Sequence, residues 1–310
     1  MDVAIIGAGM AGLACAETLT RGGHKVALYD KARGPGGRMS SRRVETSLGA
    51  LSFDHGAQYF TARDPAFIER VSRWADDGIL APWPAAGYEA WVGVPTMNAP
   101  IRAMAANQVV HWASQVDEIE RSENRWHLRV DTRRTLSFDS VIAALPAEQA
   151  APLLRPWDAT LATCADSALS APCWTVMVAF SEPLATNTKV VADDAVIGWA
   201  ALNSDKPNRT GPSAWVIQAD QRWSATHLED QPDTVIASLL ERLAQCLMTT
   251  LPEPIYVTAH RWRYARSGNA GCGALFNANL HLGVCGDWLL GPRVECAWLS
   301  GTALARKMIA

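Results

Sequence analysis

Short apolar runs alternate with segments of helical periodicity along the first thirty residues. Residues 3–6 and 26–29 are uninterrupted apolar runs. Between them, apolar residues recur at three-residue intervals within 11–21, and the glycines at 22–23 end that segment. Continuous apolar runs flanking an amphipathic helix are typical of a buried parallel sheet with a crossover helix. The pattern therefore predicts a strand–helix–strand unit.

The pattern of the remaining residues predicts a second domain inserted into the first. We expect a meander of three strands at 109–112, 126–130 and 135–138, and a buried strand at 141–145. Longer β-like runs and one helix with an apolar stripe follow at 174–180, 196–200, 214–219 and 233–247. Residues 281–285 return to a buried strand, and a last helix begins near 293. We predict an α/β Rossmann-like domain (1–64, 96–150 and 256–310) with an inserted mixed β-sheet plus helix substrate domain (65–95 and 151–255).

The turn after the first strand carries the pattern Gly-x-Gly-x-x-Gly. Gly7 permits the tight turn, Gly9 leaves room for a pyrophosphate, and Gly12 permits close packing of helix on strand. The helix N-terminus favours an anion. Asp30 ends the second strand at the distance where a carboxylate accepts hydrogen bonds from a ribose. Together these features predict dinucleotide binding.

The net charge and the cysteine content exclude some classes of partner and indicate a compartment. The net charge of −3 gives no electrostatic attraction to nucleic acid or anionic membranes. No apolar run is long enough to span a membrane, and the first strand leaves no room for a signal peptide, so we expect a cytoplasmic protein. The seven cysteines contain no C-x-x-C pair and predict neither a disulfide framework nor a metal site, but thiols in a reducing compartment.

Four motifs along the chain resemble those of the flavin-dependent amine oxidase superfamily, and within it those of the renalase-like flavoproteins of bacteria. The motifs are the glycine turn with Asp30, the segment 31–41, the Gly-Asp pair at 286–287, and the Val-Glu pair at 294–295 that opens the last helix. Segments 56–64, 260–265 and 285–301 add to the resemblance, which covers nearly the whole chain.

The resemblance implies non-covalent FAD and assigns residues to it. Asp287 would bind the ribityl or phosphate end, Val116 would meet the adenine through its backbone, and Val294 and Glu295 would stabilise negative charge at one edge of the flavin. The implied cofactor-binding residues are Gly7, Gly9, Ala11, Gly12, Asp30, Lys31, Gly37, Arg38, Met39, Val116, Asp287, Val294 and Glu295.

The renalase-like proteins oxidise 2- or 6-dihydro isomers of NAD(P) with dioxygen. The resemblance therefore implies a small dihydronicotinamide substrate, a hydride passed to FAD, and hydrogen peroxide as a product. A dihydropyridine gains aromaticity when it loses hydride, so stacking residues suffice and no general base is needed. We expect Gln58, Tyr59 and Trp288 at the ring, with Trp199 and Trp298 as further wall candidates and Arg261 or Arg263 available for a phosphate.

Two departures from the amine oxidases bear on the reaction. Those enzymes usually keep a lysine near the flavin, whereas Lys189 and Lys206 stand in polar surroundings and read as surface residues. Some amine oxidases bind the flavin through a cysteine thioether. Cys272 precedes the Gly-Asp pair at too short a spacing for such a link, so we expect non-covalent FAD. We expect His55, His111 and His260 to be satisfied by backbone groups.

Three alternatives remain open at this stage. An amine oxidase or desaturase could use the same fold on another substrate. A non-catalytic flavin-binding or redox-sensing protein would bind FAD without substrate-driven bleaching. A monooxygenase would need NAD(P)H as reductant, and the sequence has no signature for it.

Overall fold

The computed structural model describes residues 1–131 and 133–310. The helices are α1 (Met10–Arg21), α2 (Pro65–Asp76), α3 (Ala99–Ala105), α4 (Ala147–Leu154), α5 (Ala159–Asp166), α6 (Gln221–Thr226), α7 (Pro232–Leu247) and α8 (Val294–Ile309). The strands are β1 (Asp2–Ile6), β2 (Lys25–Tyr29), β3 (Ser41–Thr46), β4 (Gly49–Asp54), β5 (Leu80–Pro82), β6 (Trp91–Gly93), β7 (Val109–His111), β8 (Val116–Ser122), β9 (Arg125–Val130), β10 (Arg133–Phe138), β11 (Ser140–Ala143), β12 (Ala171–Phe180), β13 (Val190–Ala192), β14 (Ile197–Leu202), β15 (Ser213–Ala219), β16 (Tyr256–Arg266), β17 (Leu275–Asn277) and β18 (Leu282–Val284).

A six-stranded sheet in the order β17-β18-β11-β1-β2-β7 forms the first layer. β1 runs parallel to both β2 and β11, with Ile6 opposite Tyr29 on one side and Ala143 on the other. The carboxyl ends of these strands therefore meet at the turn that begins with Gly7, where open α/β sheets bind their ligands. The predicted strand–helix–strand unit is confirmed.

The predicted meander is shifted along the chain. β7 pairs in parallel with β2 in the six-stranded sheet, and the antiparallel meander consists of β8, β9 and β10. β8 was missed because its sequence is mostly charged, and Ile119 is its one fully buried residue.

A five-stranded sheet in the order β13-β14-β15-β12-β16 forms the second layer. α7 covers it through Val235, Leu239 and Leu243, as its apolar stripe predicts. β16 pairs with β12 along its length, although we expected residues 256–266 in the FAD-binding domain. α4 and α5 instead pack on the six-stranded sheet, although the predicted inserted segment began at 151.

α1 and α8 pack closely, and their N-termini point to the same region. A Cβ on Gly301 would overlap the carbonyl oxygen of Ala11, so this crossing requires glycine. Segment 65–95, which we expected in the substrate-binding domain, packs on the core that contains α1 and α8, and that core also includes Ala201 of β14. Among the described residues no helix is both long and apolar enough to cross a membrane.

Candidate functional site

A cavity of about 1710 Å³ lies between the two sheets. The six-stranded sheet contributes the loops that follow its parallel strands, and the five-stranded sheet contributes residues of β14, β15 and β16. Almost all of the predicted cofactor residues line it, namely Gly7, Gly9, Ala11, Asp30, Lys31, Gly37, Arg38, Met39, Val116, Asp287 and Val294.

The three glycines of the turn after β1 have separate roles. Gly7 has a φ of +103°, and a Cβ there would overlap the carbonyl oxygen of Ala144. A Cβ on Gly12 would overlap the carbonyl oxygen of Gly7, which places Gly12 in the packing of α1 and not at the cavity. Gly9 lines the cavity, and a Cβ there would meet nothing within 4 Å. The open space above Gly9 is therefore the part of the turn that a ligand can occupy.

Asp30 is fixed by the backbone around it. Its Oδ2 accepts from the Ala8 N–H at 2.7 Å, and its Oδ1 accepts from the Ala32 N–H at 2.8 Å. Each carboxylate oxygen keeps further acceptor capacity, because an ionised carboxylate has about four acceptor positions. Asp30 also lines the cavity. It is thus fixed at the cavity with acceptor capacity that a ribose hydroxyl could use.

Arg38 and Asp287 meet across the cavity although they are 249 positions apart. Arg38 Nη2 lies 2.7 Å from Asp287 Oδ1. The Arg38 loop is held against the glycine turn, since a Cβ on Gly37 would lie 3.7 Å from the Cα of Gly9. The Ala57 N–H donates to the Arg38 carbonyl at 2.8 Å. This arrangement places the backbone of the Arg38 loop beside the glycine turn and pairs the Arg38 guanidinium with Asp287.

The N-terminus of α8 opens at the same cavity. The first hydrogen bond within the helix runs from the Ala297 N–H to the Arg293 carbonyl, and the helix has no side-chain cap. Val294 and Ala297 line the cavity. The Glu295 side chain points elsewhere: its Oε1 accepts from the Arg63 and Asp64 N–H groups, both at 2.6 Å. Its carboxylate therefore fixes the loop before α2, and only its backbone N–H is available at the helix end.

Three aromatic residues line the same cavity, and we call Tyr59, Trp199 and Trp262 the aromatic wall. The rings of Tyr59 and Trp199 lie 5.2 Å apart at an angle of 43°. Trp262 is held by a hydrogen bond of 2.9 Å from its Nε1 to the His55 carbonyl. All three line the cavity. Trp262 was not among our wall candidates.

Two other tryptophans that we expected at the wall lie in the core. Trp288 has no exposed surface and does not line the cavity; its Nε1 donates to the Leu145 carbonyl at 3.0 Å. The Trp298 ring packs on Phe67 with centroids 5.4 Å apart. The positions predicted for Trp288 and Trp298 are therefore wrong. Both side chains pack in the core, Trp288 beside the Gly-Asp pair at 286–287 and Trp298 on α8.

Gln58 lines the cavity, but its side-chain amide already has hydrogen-bond partners within the protein. Its Oε1 accepts from Lys206 Nζ at 3.1 Å, and its Nε2 donates to the carbonyls of Gly56, at 3.1 Å, and Asp54. The residue is only 5% exposed. Because both amide hydrogens are used, Gln58 can offer a ligand no more than an acceptor.

Lys206 is buried behind Gln58, so its assignment to the surface is wrong. Its side chain has no exposed area and lies 3.2 Å from the equally buried Asp54, which also receives Arg209 Nη2 at 2.6 Å. Burial lowers the pKa of Lys206, with Asp54 opposing. Burial would raise the pKa of Asp54, but the two cations outweigh it and lower that pKa. No local pattern indicates that Lys206 is buried, because its counter-ion Asp54 lies 152 positions away. Lys189, by contrast, is exposed, as predicted.

Two cavity-lining imidazoles are held neutral at physiological pH. Burial, with His260 and Arg42 nearby, lowers the pKa of His55 to about 4. Burial and Arg42 also lower the pKa of His260. The His55 ring stacks on Trp262 at 5.3 Å, and His260 meets both rings edge-on. We had expected backbone groups to satisfy these rings, whereas they belong to an aromatic cluster.

The cavity fits a dinucleotide that carries a flat ring. The helix N-termini and Arg38 would meet its phosphates, Asp30 would accept from its ribose, and the open space beside Gly9 would admit its pyrophosphate. The fold and the site together define a dinucleotide-dependent oxidoreductase. Cys272 is exposed and does not line this cavity.

Comparison with known proteins agrees with this class. Residues 5–77 match the model of an NAD(P)-binding Rossmann-like domain, and residues 82–309 match that of the flavin containing amine oxidoreductases. The chain therefore belongs to the flavin containing amine oxidoreductase family, and its cofactor is FAD.

Individual relatives extend the comparison. Renalase from Mus musculus is 24% identical over 92% of this chain and 91% of its own length. The structure is similar to that of a putative protoporphyrinogen oxidase from Exiguobacterium sp. 255-15 (TM-score 0.76, 12% identity, 99% and 98% of the two chains). It is also similar to that of cyclohexylamine oxidase from Brevibacterium oxydans IH-35A (TM-score 0.72, 14% identity, with the same coverage). The predicted renalase-like and amine oxidase relationship is confirmed.

Proposed function

We propose that this protein is an oxidase of 2- or 6-dihydro isomers of NAD(P), which returns them to NAD(P)⁺ and reduces dioxygen to hydrogen peroxide. The observation that carries the proposal is the aromatic wall, which lines the same cavity as the glycine turn and Asp30 and is flanked by imidazoles whose pKa values are lowered. Bound FAD would accept the hydride and pass the electrons to dioxygen. The similarity to renalase over 92% of the chain supports the same substrate class.

The residues around the cavity would orient the substrate and would not remove a proton. Tyr59 and Trp199 offer ring faces against which a dihydropyridine can stack. Loss of hydride makes that ring aromatic, so no side chain must take a proton. The free N–H groups at the start of α8 would stabilise negative charge at the far end of the cavity.

Arginines on β16 would meet the phosphates of a dinucleotide. Arg261 and Arg263 line the cavity and are both held by Glu229, at 2.7 Å each. A guanidinium held in this way keeps further donors free for a phosphate oxygen. These contacts would favour a dinucleotide over a small amine.

Anaerobic mixing of the FAD-loaded protein with a panel of reductants tests the proposal. We expect the 2- or 6-dihydro isomers to bleach the flavin absorbance rapidly and ordinary NADH and amines to bleach it slowly. After air is admitted, one hydrogen peroxide should form for each NAD(P)⁺ released. Bleaching by an amine alone would overturn the proposal.

Amine oxidation is the second candidate function. The family match and the structural similarity to cyclohexylamine oxidase favour it. Against it, Lys206 contacts Gln58 and does not itself line the cavity. The same anaerobic panel separates the two candidates.

We also propose a cytoplasmic location. All seven cysteines are free thiols, which fits a reducing compartment. Fractionation of the cells should recover the activity with the cytosolic proteins. Recovery with membranes or in the medium would contradict this location.

A further inference from the structure

Two cysteines that are far apart in the sequence have their sulfur atoms in contact. Cys164 Sγ lies 3.4 Å from Cys272 Sγ, although the residues are 108 positions apart. Cys164 is in the last turn of α5, and Cys272 is in the loop between β16 and β17. Cys272 is exposed and Cys164 is partly exposed. Both thiols can therefore be reached by a small molecule from solvent.

The pair lies where the chain enters and leaves the five-stranded sheet. The chain passes from α5 into β12 through residues 167–170 and returns from β16 through 267–274. These two crossings touch, since a Cβ on Gly268 would lie 2.9 Å from the carbonyl carbon of Ala168. A bond between the two sulfurs would therefore enclose β12 to β16, α6 and α7 in one covalent loop.

The Cys272 loop is also hydrogen-bonded to the turn that begins at Asp287. The Cys272 N–H donates to the Leu289 carbonyl at 2.9 Å, and the Ala270 N–H donates to the Trp288 carbonyl at 2.8 Å. These carbonyls belong to the turn that begins at Asp287, the partner of Arg38. The thiol pair is thus continuous with the backbone that holds Asp287 in place.

The other cysteines have surroundings that separate them from this pair. Cys15 and Cys285 are neighbours but fully buried, so solvent does not reach them, and burial raises the pKa of Cys15 well above its usual value. Cys173 is largely enclosed, and burial raises its pKa to about 11. Cys246 is partly exposed on α7, beside the Asp194–Arg242 ion pair, and serves as a matched control.

We propose that Cys164 and Cys272 are an oxidisable dithiol that a hydroperoxide closes to a disulfide. The Cys272 thiolate attacks a peroxide oxygen, so that an S–O bond forms, the O–O bond breaks and one water leaves after protonation. Cys164 then attacks the Cys272 sulfur, an S–S bond forms, the S–O bond breaks and, after protonation of the oxygen, a second water leaves. Two thiols are oxidised, and one hydrogen peroxide is reduced to two waters.

The order of the two steps follows from the surroundings of each thiol. Burial and the contact with Cys272 raise the pKa of Cys164 to about 11, which leaves little thiolate there at neutral pH. Cys272, on an exposed loop, is the thiol that peroxide meets first. A disulfide has an S–S distance of about 2 Å, so the sulfurs must approach by rotation of the side chains and movement of that loop. The peroxide source rests on the proposed function, but added peroxide closes the pair whatever the substrate.

Oxidation of the FAD-loaded protein with added hydrogen peroxide tests the proposal. We expect the number of free thiols, counted after denaturation, to fall from seven to five. Non-reducing peptide maps should show the peptides of Cys164 and Cys272 linked. Closing so long a loop should raise the melting temperature by about 3 °C or more relative to the dithiothreitol-reduced protein. Cys246→Ser should behave as wild type, whereas Cys164→Ser and Cys272→Ser should each lose the link and the temperature rise.

Three results would overturn the dithiol. The first is seven free thiols after peroxide treatment. The second is separate over-oxidation of Cys164 and Cys272 without a link, and the third is a link that joins Cys15 to Cys285 in place of this pair. Because the peroxide is added, none of these results depends on which substrate reduces the flavin.

Discussion

At the scale of single residues, burial decides the charge of the groups around the cavity. His55 is 7% exposed, and its pKa is lowered to about 4 by burial, His260 and Arg42. The unfolded chain protonates this imidazole near pH 6.5. Between pH 6.5 and 4, protons therefore favour the unfolded state, and the stability present above pH 6.5 is lost as the pH falls.

Replacement of His55 should remove this pH dependence. We expect the free energy of unfolding of the wild type to fall by about 2 to 3 kcal/mol between pH 7 and pH 4 because of His55. Urea titrations of His55→Gln should show a shallower fall over that range than those of the wild type. Equal slopes for His55→Gln and the wild type would contradict the pKa given for His55.

The buried carboxylate of Asp54 holds two cations. Asp54→Asn would leave Lys206 and Arg209 without their counter-ion in the core, and we expect a loss of about 3 to 5 kcal/mol of stability. The exposed pair of Arg43 and Glu45 gives the control, because Glu45→Gln should change stability by less than about 1 kcal/mol. A loss for Asp54→Asn as small as that of the control would show that the buried cluster does not stabilise the fold.

At the scale of elements, local pattern determined what could be predicted. β1, α1, β2 and α8 were identified because their turn, periodicity and end signals lie within a few residues of each other. Lys206, Trp288 and β16 were misplaced because their partners are Asp54, Leu145 and β12, which lie far away in the sequence. No local pattern of charge or hydrophobicity reports such partners.

The glycine turn after β1 gives the test at this scale. Gly9 has an extended backbone that alanine adopts without strain, and its Cβ would enter the cavity, so Gly9→Ala should fold normally and bind FAD at least tenfold more weakly. Gly12→Ala should destabilise the apoprotein itself by about 1 to 3 kcal/mol, since its Cβ would overlap the Gly7 carbonyl. Melting curves without FAD and FAD titrations separate the two effects. A Gly9→Ala variant with wild-type FAD affinity would contradict the position given to the pyrophosphate.

At the scale of the whole molecule, two sheets line one cavity and contribute different residues to it. The six-stranded sheet supplies the glycine turn, Asp30 and Arg38, and the five-stranded sheet supplies Trp199 and Trp262. We propose that these sheets are the FAD-binding and substrate-binding units, with the second unit formed by β12 to β16, α6 and α7. The thiol pair lies at the junction between them.

The pH dependence of flavin reduction tests the central claim most directly. Anaerobic stopped-flow mixing with a 2- or 6-dihydro isomer gives the rate constant of bleaching from pH 6 to pH 9. Because hydride leaves without proton transfer and His55, with a pKa of about 4, is already neutral, we predict a rate constant that changes less than about twofold. A tenfold rise per pH unit over any part of this range would show that a base takes a proton, and would contradict the account.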